Sequence, residues 1–113
     1  MPHYLVQVAY TSEAVATLVK NPQDRINVVS KVVENMGGGL VGGWLCFGDY
    51  DTVTICEFPD NVSAAAFALA IAAGGACKSV KTTPLLSTAE GFEAMKKAGM
   101  SGYAPPKAGR SKK

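Results

Sequence analysis

The chain has 113 residues, of which 48% are hydrophobic and 18% are charged. This composition indicates one globular domain and excludes an intrinsically disordered chain. The net charge of +2 is misleading, because four basic residues lie in the last seven positions and leave seven basic residues against nine acidic ones elsewhere. A mildly acidic body lacks the basic face of a nucleic-acid-binding domain, so nucleic acid is not an expected partner. The four basic residues are Lys107, Arg110, Lys112 and Lys113.

Several classes of protein and site are disfavoured at this stage. No apolar run approaches the roughly 20 residues that span a bilayer, and the first residues carry no signal-peptide pattern, so we expect a cytoplasmic protein without membrane insertion. Cys46, Cys56 and Cys77 are an odd number without CxxC spacing, which disfavours a disulfide framework or a zinc site. We expect them to be small hydrophobic residues within strands. With His3 as the single histidine, we predict no metal site and no cofactor.

The first half of the chain is predicted to form one strand and two helices. Residues His3–Tyr10 alternate apolar and polar side chains, which is typical of a strand. Thr11 and Ser12 offer an N-cap for a helix over Ser12–Lys20. Asn21 is a suitable second N-cap and Pro22 a suitable first helical residue, so a second helix is predicted over residues 22–36. Three glycines at 37–39 end it.

The second half of the chain is predicted to form a hairpin, a helix, an edge strand and a short final helix. Gly48 and Asp49 suit a two-residue turn between the hairpin strands. Pro84 marks the last strand as an edge, since proline donates no ladder hydrogen bond. Ser87 and Glu90 match a capping box. The predicted elements are strands over 40–47 and 50–58, a helix over 62–73, a strand over 77–86 and a helix from the capping box to about 98.

The resulting order, βαββαβ with a terminal helix, predicts an α+β, ferredoxin-like fold with an antiparallel sheet. In this arrangement the helices cover one face of the sheet. Strand residues of both parities are apolar, as Leu5 and Val6 illustrate, so the second face also needs a cover. We therefore expect a homodimer or a higher homo-oligomer. Residues 1–99 are predicted to form the domain, and residues 100–113 a basic irregular tail.

Several short motifs in this order resemble the GYD-domain family of small bacterial proteins. The Gly48-Asp49-Tyr50-Asp51 turn resembles the family signature. The likeness spans about His3 to Leu86, and its parts are specific in their order and spacing rather than singly. The supporting motifs are Asn21-Pro22-Gln23-Asp24-Arg25, the helix end Glu34…Gly37-Gly38, and Glu57-Phe58-Pro59-Asp60.

The resemblance implies a dimeric α/β barrel, in which two sheets pack face to face. It implies no settled activity. Relatives on that architecture include cofactor-free monooxygenases, haem-degrading enzymes, lactone isomerases and ligand-sensing modules, so the fold constrains the function poorly.

The hairpin supplies most of the candidate ligand-binding residues. A two-residue turn places Trp44 opposite Val53 and Cys46 opposite Asp51. Asp51 lies just inside a strand, where a carboxylate is costly to bury without a partner. It would cap the turn, form an ion pair with a basic residue, or act as a general base in a pocket. Trp44 and Tyr50 would line such a pocket or belong to the core.

Arg25 is the fourth candidate ligand-binding residue. It lies in the first turn of its helix, where a positive charge opposes the helix dipole. A specific ion pair or an anion-binding role would account for this placement, and pairing with Asp51 would account for both residues without catalysis. No residue is predicted to be catalytic.

Three functions are compatible with these observations, and the sequence leaves open whether the protein is an enzyme. The first is a small-molecule-binding or accessory homodimer, with a pocket between sheet and helices around Trp44, Asp51 and Arg25. The second is a cofactor-free enzyme, an isomerase or monooxygenase, which requires Asp51 to have a raised pKa in an enclosed cavity. The third is an interaction protein that assembles through its sheet face and basic tail.

Overall fold

The computed structural model describes residues 1–107. The predicted roles of Arg110, Lys112 and Lys113 therefore lie outside the described residues. Within the described part, no helix is both long enough and apolar enough to cross a membrane. The elements are β1 (His3–Tyr10), α1 (Ser12–Lys20), α2 (Arg25–Asn35), β2 (Gly39–Leu45), β3 (Thr52–Glu57), α3 (Asn61–Ala73), β4 (Cys77–Leu85) and α4 (Thr88–Ala98).

The four strands form one antiparallel sheet in the order β2-β3-β1-β4. This order, with the two central strands coming from different halves of the chain, confirms the predicted ferredoxin-like fold. The strands β2 and β4 are the edges. Pro84 lies in β4 opposite Tyr4, so the missing proline donor falls in an edge strand, as predicted.

Local side-chain chemistry fixes most helix ends. The Thr11 hydroxyl accepts a hydrogen bond from the Ala14 amide at 3.1 Å and caps α1, and Ser87 and Glu90 form the predicted capping box of α4. The C-terminus of α2 is a Schellman motif, in which the Gly38 amide donates to the Val33 carbonyl at 3.0 Å. The residue between them, Gly37, has a φ of +84°, which explains the need for glycine there.

The helix α2 begins later than predicted. Its N-cap is Asp24, whose carboxylate accepts from the Asn27 amide at 3.1 Å, and not Asn21. Asn21 instead ends α1, where its amide donates to the Thr17 carbonyl. The prediction from Pro22 was wrong because a better-placed acidic cap lies only two residues further on.

The connection between β2 and β3 is also longer than predicted. The last strand bond joins the Cys46 amide to the Asp51 carbonyl at 2.8 Å, so the loop between them has four residues, and Phe47 within it is 98% exposed. Because β2 ends at Leu45, Cys46 lies just outside the strand, contrary to the prediction. The predicted pairing of Trp44 with Val53 is nevertheless correct, because lengthening the loop equally on both sides preserves the register.

The hydrophobic core lies between the sheet and the helices α2 and α3. Phe58 is fully buried between Tyr4 and Phe67, with ring centroids 5.7 and 5.4 Å away. The Tyr4 hydroxyl donates to Asn61 Oδ1 at 2.6 Å, so its buried polar atom is satisfied. The other core residues are Val6, Val8, Val33, Cys56 and Ala64.

The opposite face of the sheet carries apolar side chains that no helix within residues 1–107 covers. We call it the open face and define it by Leu5, Trp44, Val53 and Ile55. Trp44 is 55% exposed, and the other three are half-buried. The Trp44 indole folds back over Gly42, where a Cβ atom would lie 2.7 Å from the ring. The ring thus extends the apolar surface along β2.

The helix α4 projects from this body. None of its residues is buried, and Phe92 and Met95 are 61% and 73% exposed. Lys96 pairs with Glu93, and its ammonium group lies 5.4 Å from the centre of the Phe92 ring. The Cα radius of gyration is 18.9 Å, whereas a compact chain of this length has about 13 Å. The helix starts on the open-face side, because Ile55 and Glu90 line the same depression.

A methyl group at Gly38 should destabilise the fold, because its Cβ atom would collide with the Glu57 carbonyl oxygen and lie 3.0 Å from the Phe58 ring. We expect Gly38→Ala to lower the free energy of unfolding by about 2 kcal/mol, measured by urea denaturation. Gly91→Ala is the matched control, since its Cβ atom meets nothing within 4 Å. Equal stability of the two variants would contradict the predicted clash.

Candidate functional site

An apolar cleft of about 230 Å³ lies between the helix-covered face of the sheet and the helices α2 and α3. We call it the helix-side cleft. Its polar groups belong to Tyr10, Arg25, Thr52, Thr54 and Cys77. Its apolar lining consists of Val6, Val8, Ile26, Val29, Phe67, Ala70, Ile71, Gly74 and Ala76.

An irregularity in β4 determines which side chains reach this cleft. Val8 pairs with Val80 and Ala9 with Ser79, but Tyr10 pairs with Cys77, so one residue of β4 is left over. The extra residue is Lys78, which is exposed. Regular alternation would turn Lys78 inward and Cys77 outward, so this bulge keeps the ammonium group out of the cleft and brings the thiol in.

Three titratable groups lie near one another at this end of the cleft. Burial raises the pKa of the Tyr10 hydroxyl, and nearby Cys77 adds to the shift, while the Arg25 guanidinium opposes it. Burial likewise raises the pKa of the Cys77 thiol, and Arg25 again opposes the change. At neutral pH the hydroxyl and the thiol are therefore protonated, and the guanidinium is the charged group of the cleft.

Two threonines of β3 supply the polar part of the cleft floor. Thr52 and Thr54 are polar, but they occupy inward positions of the strand and are only 6% and 4% exposed. The Cys56 thiol donates to Thr54 Oγ1 at 3.5 Å, which leaves the Thr54 hydroxyl proton able to serve another acceptor. The cleft thus offers hydroxyl donors as well as one cation.

Asp51 has a structural position at the junction of three strands. Its Oδ2 accepts from the Tyr10 amide at 2.8 Å, its own amide donates to the Val8 carbonyl at 2.8 Å, and its carbonyl accepts from the Cys46 amide. The predicted Arg25–Asp51 ion pair is not formed within residues 1–107. The Arg25 guanidinium instead donates through Nη1 to Gln23 Oε1 at 3.1 Å.

The structure separates the four predicted ligand-binding residues. Arg25 lines the helix-side cleft, whereas Trp44 lies on the open face, on the other side of the sheet. Tyr50 lies in the four-residue loop, where its carbonyl accepts from the Cys46 thiol at 3.2 Å. Trp44, Asp51 and Arg25 are therefore not brought together in one pocket. Arg25 belongs to a helix on one side of the sheet, whereas the Trp44 side chain points from the other side.

The described residues contain no group of three His, Cys, Asp or Glu side chains that could hold a metal ion. His3 lies 3.7 Å from Glu57 at the sheet end, and the cysteines of residues 1–107 are free. Among the residues that line the helix-side cleft, none is a carboxylate or a histidine. Its chemistry is therefore that of a binding site with a cation and neutral donors.

The chain also matches a known protein family over most of its length. The sequence model of the GYD domain matches residues 4–96. The chain belongs to the GYD domain family. This confirms the resemblance that the turn motif suggested.

A curated protein and a solved structure illustrate what this chain is similar to. The "glutamine synthetase and cystathionine beta-lyase binding protein" of Thermus thermophilus is 33% identical over 81 residues, which cover 71% of this chain and 84% of that protein. A solved structure described as the crystal structure of FFRP-DM1 has a TM-score of 0.48 and 12% identity. The match covers 76% of this chain and 100% of that one.

Sequence reasoning missed four of the five polar residues of the cleft. A signal existed for three of them, because Tyr10 continues the inward parity of Tyr4, and Thr52 and Thr54 are polar residues at inward positions of an apolar strand. No signal existed for Cys77, since its inward position depends on the bulge at Lys78.

Removing the Asp51 carboxylate should destabilise the protein, because the Tyr10 amide would lose a charged acceptor at 2.8 Å. We expect Asp51→Ala to lower the free energy of unfolding by about 2 kcal/mol in urea denaturation. Asp49→Ala, in the exposed loop, is the control and should change it by less than about 0.5 kcal/mol. A similar effect of both substitutions would show that the Asp51–Tyr10 bond contributes nothing specific.

Proposed function

We propose that this GYD protein is an accessory binding protein: a homodimer that takes a small molecule into the helix-side cleft and binds a partner enzyme. The observation that carries the proposal is the cleft itself. An apolar cavity with a few polar groups gathered at one end is typical of a small-molecule site. Here those groups are the Arg25 guanidinium and the hydroxyls of Tyr10, Thr52 and Thr54.

The open face supports the homodimer. Its apolar side chains are too continuous for a surface that faces water, and the helices α2 and α3 pack against the other face. A second copy carries the same apolar surface, so two copies could pack face to face about a twofold axis, which is the simplest way to bury it. Since α4 starts on the open-face side, a second copy packed there would also meet the exposed Phe92 and Met95. The domain would then be completed by residues of both copies.

The Thermus relative supports the partner enzyme. That protein is named for binding glutamine synthetase and cystathionine beta-lyase, and it is similar to this chain over most of its length. We propose that glutamine synthetase of the host is a partner of this chain too. A cytoplasmic location accords with this proposal and with the free cysteines, because disulfides are rare in reducing compartments.

The cofactor-free enzyme has less support. That hypothesis depended on Asp51 as a general base in an enclosed cavity. The Asp51 carboxylate instead holds the Tyr10 amide, and the helix-side cleft has no carboxylate or histidine in its described lining. The titratable groups that remain in that lining besides Arg25 are Tyr10 and Cys77, and burial raises the pKa of both, so they are protonated and poor bases at neutral pH.

A charge on the open face should weaken the homodimer. We expect Ile55→Lys to raise the dimer dissociation constant at least about tenfold, because an ammonium group would be buried without a partner. Light scattering after gel filtration measures the mass. Trp44, the single tryptophan, reports the contact by a blue shift of its fluorescence as the wild-type concentration rises.

Val19→Lys is the matched control for the homodimer. Val19 is 75% exposed on α1 and is not one of the residues that define the open face, so this substitution should leave the mass and the fluorescence shift unchanged. A wild-type chain that stays monomeric at millimolar concentration would disprove the homodimer and leave the cleft proposal standing.

Binding to glutamine synthetase is tested with the two purified proteins. We expect the wild-type chain to bind immobilised glutamine synthetase from the same host in biolayer interferometry. Bovine serum albumin on a parallel sensor is the control. An equal response on both sensors would remove this partner from the proposal.

A further inference from the structure

The geometry points to a small organic carboxylate with an apolar body as the ligand of the helix-side cleft, its carboxylate beside Arg25 and Tyr10 and its body between α2 and α3. This inference rests on the proposed small-molecule function and specifies the ligand class. It makes Arg25 the residue that decides specificity.

The charge of the cleft is the first argument. Arg25 is the one charged residue in the described lining, and its recorded partner is the neutral Gln23 amide oxygen. The neighbouring Asp24 carboxylate is engaged with the Asn27 amide and forms no ion pair with Arg25 in the described structure. A guanidinium without a carboxylate partner offers the planar pair of donors that a carboxylate accepts.

The hydroxyls beside Arg25 are the second argument. Burial raises the pKa of Tyr10, so its hydroxyl keeps its proton at neutral pH and serves as a donor. Thr52 and Thr54 add buried hydroxyls on the same floor. An anionic head group would therefore meet a cation and neutral donors, and the described lining contains no carboxylate. The Asp51 carboxylate lies outside that lining and accepts from the Tyr10 amide, although it is near enough to add to the burial that raises the pKa of Cys77.

Size and polarity distinguish a carboxylate from a phosphate. The cleft of about 230 Å³ corresponds to roughly seven or eight water molecules, which is enough for a six-carbon acid. A phosphate dianion would have to shed more hydration than one guanidinium replaces in an apolar cleft. The walls next to the polar end are aliphatic, with Val29 and Ile71 on the two helices, so the rest of the ligand is apolar.

The test is a titration of the full ¹⁵N-labelled chain with hexanoate, followed by amide chemical shifts. We expect saturable shifts that concentrate at Tyr10, Arg25 and Cys77. Hexanamide, which has the same shape without the charge, should bind at least about tenfold more weakly. Arg25→Gln should abolish this preference.

Lys31→Gln is the matched control, since it removes one positive charge from the exposed side of the same helix. It should keep the wild-type preference for hexanoate. Arg25→Lys tests geometry separately: it keeps the charge but loses the planar fork, and we expect an intermediate preference. Unchanged melting temperatures show that each variant is folded.

The outcomes separate the inference from the proposed function. Equal binding of hexanoate and hexanamide would overturn the carboxylate inference and leave a cleft that binds apolar molecules. Tighter binding of butyl phosphate than of hexanoate would also overturn it, in favour of a phosphate ligand. Failure to see saturable shifts with any of these probes, at millimolar concentration, would overturn both the inference and the small-molecule function.

Discussion

The arrangement of the cleft depends on the bonds that Asp51 makes to its neighbouring strands. Its side chain holds the Tyr10 amide, its own amide holds the Val8 carbonyl, and its carbonyl closes the loop to Cys46. These bonds join the ends of β2, β3 and β1 at one end of the sheet. They act where β1 loses regular register with β4, so they hold Tyr10 in the position from which its ring enters the cleft.

The Asp51 carboxylate therefore has a structural use, because its Oδ2 atom accepts from the main chain. The sequence pattern presents Asp51 as a potential base, but in the structure its side chain is a hydrogen-bond acceptor for the Tyr10 main-chain amide. A main-chain amide is a strong donor that needs an acceptor when it is partly buried. The polar groups that line the cleft include those of Arg25, Tyr10 and the threonines of β3. In the proposed binding role this set would hold an anion, and the described lining of the cleft supplies no carboxylate or histidine for proton abstraction.

The two faces of the sheet have different proposed roles, one in binding a small molecule and the other in binding a second copy. The helix-covered face contains the core and, at one end, the cleft, because small residues near the end of α3, such as Ala70 and Gly74, leave space that larger side chains would fill. The open face contains the indole of Trp44 folded over Gly42 and the aliphatic residues of β1 and β3. The small molecule and the second copy would therefore be bound on opposite sides, and one would not displace the other.

The sequence by itself determined the element order, most of the helix ends and the pairing of Trp44 with Val53, because caps, glycines and alternation act over a few residues. It also determined the family through short motifs in a fixed order. It misplaced the start of α2, where two caps lay close together and local rules could not choose between them. Only the tertiary structure decided that Asp51 binds Tyr10, that Arg25 has no carboxylate partner in the described residues, and that Cys77 faces inward. Each of these depends on a contact between distant strands or on the bulge at Lys78, and side-chain period alone cannot encode a one-residue change of register.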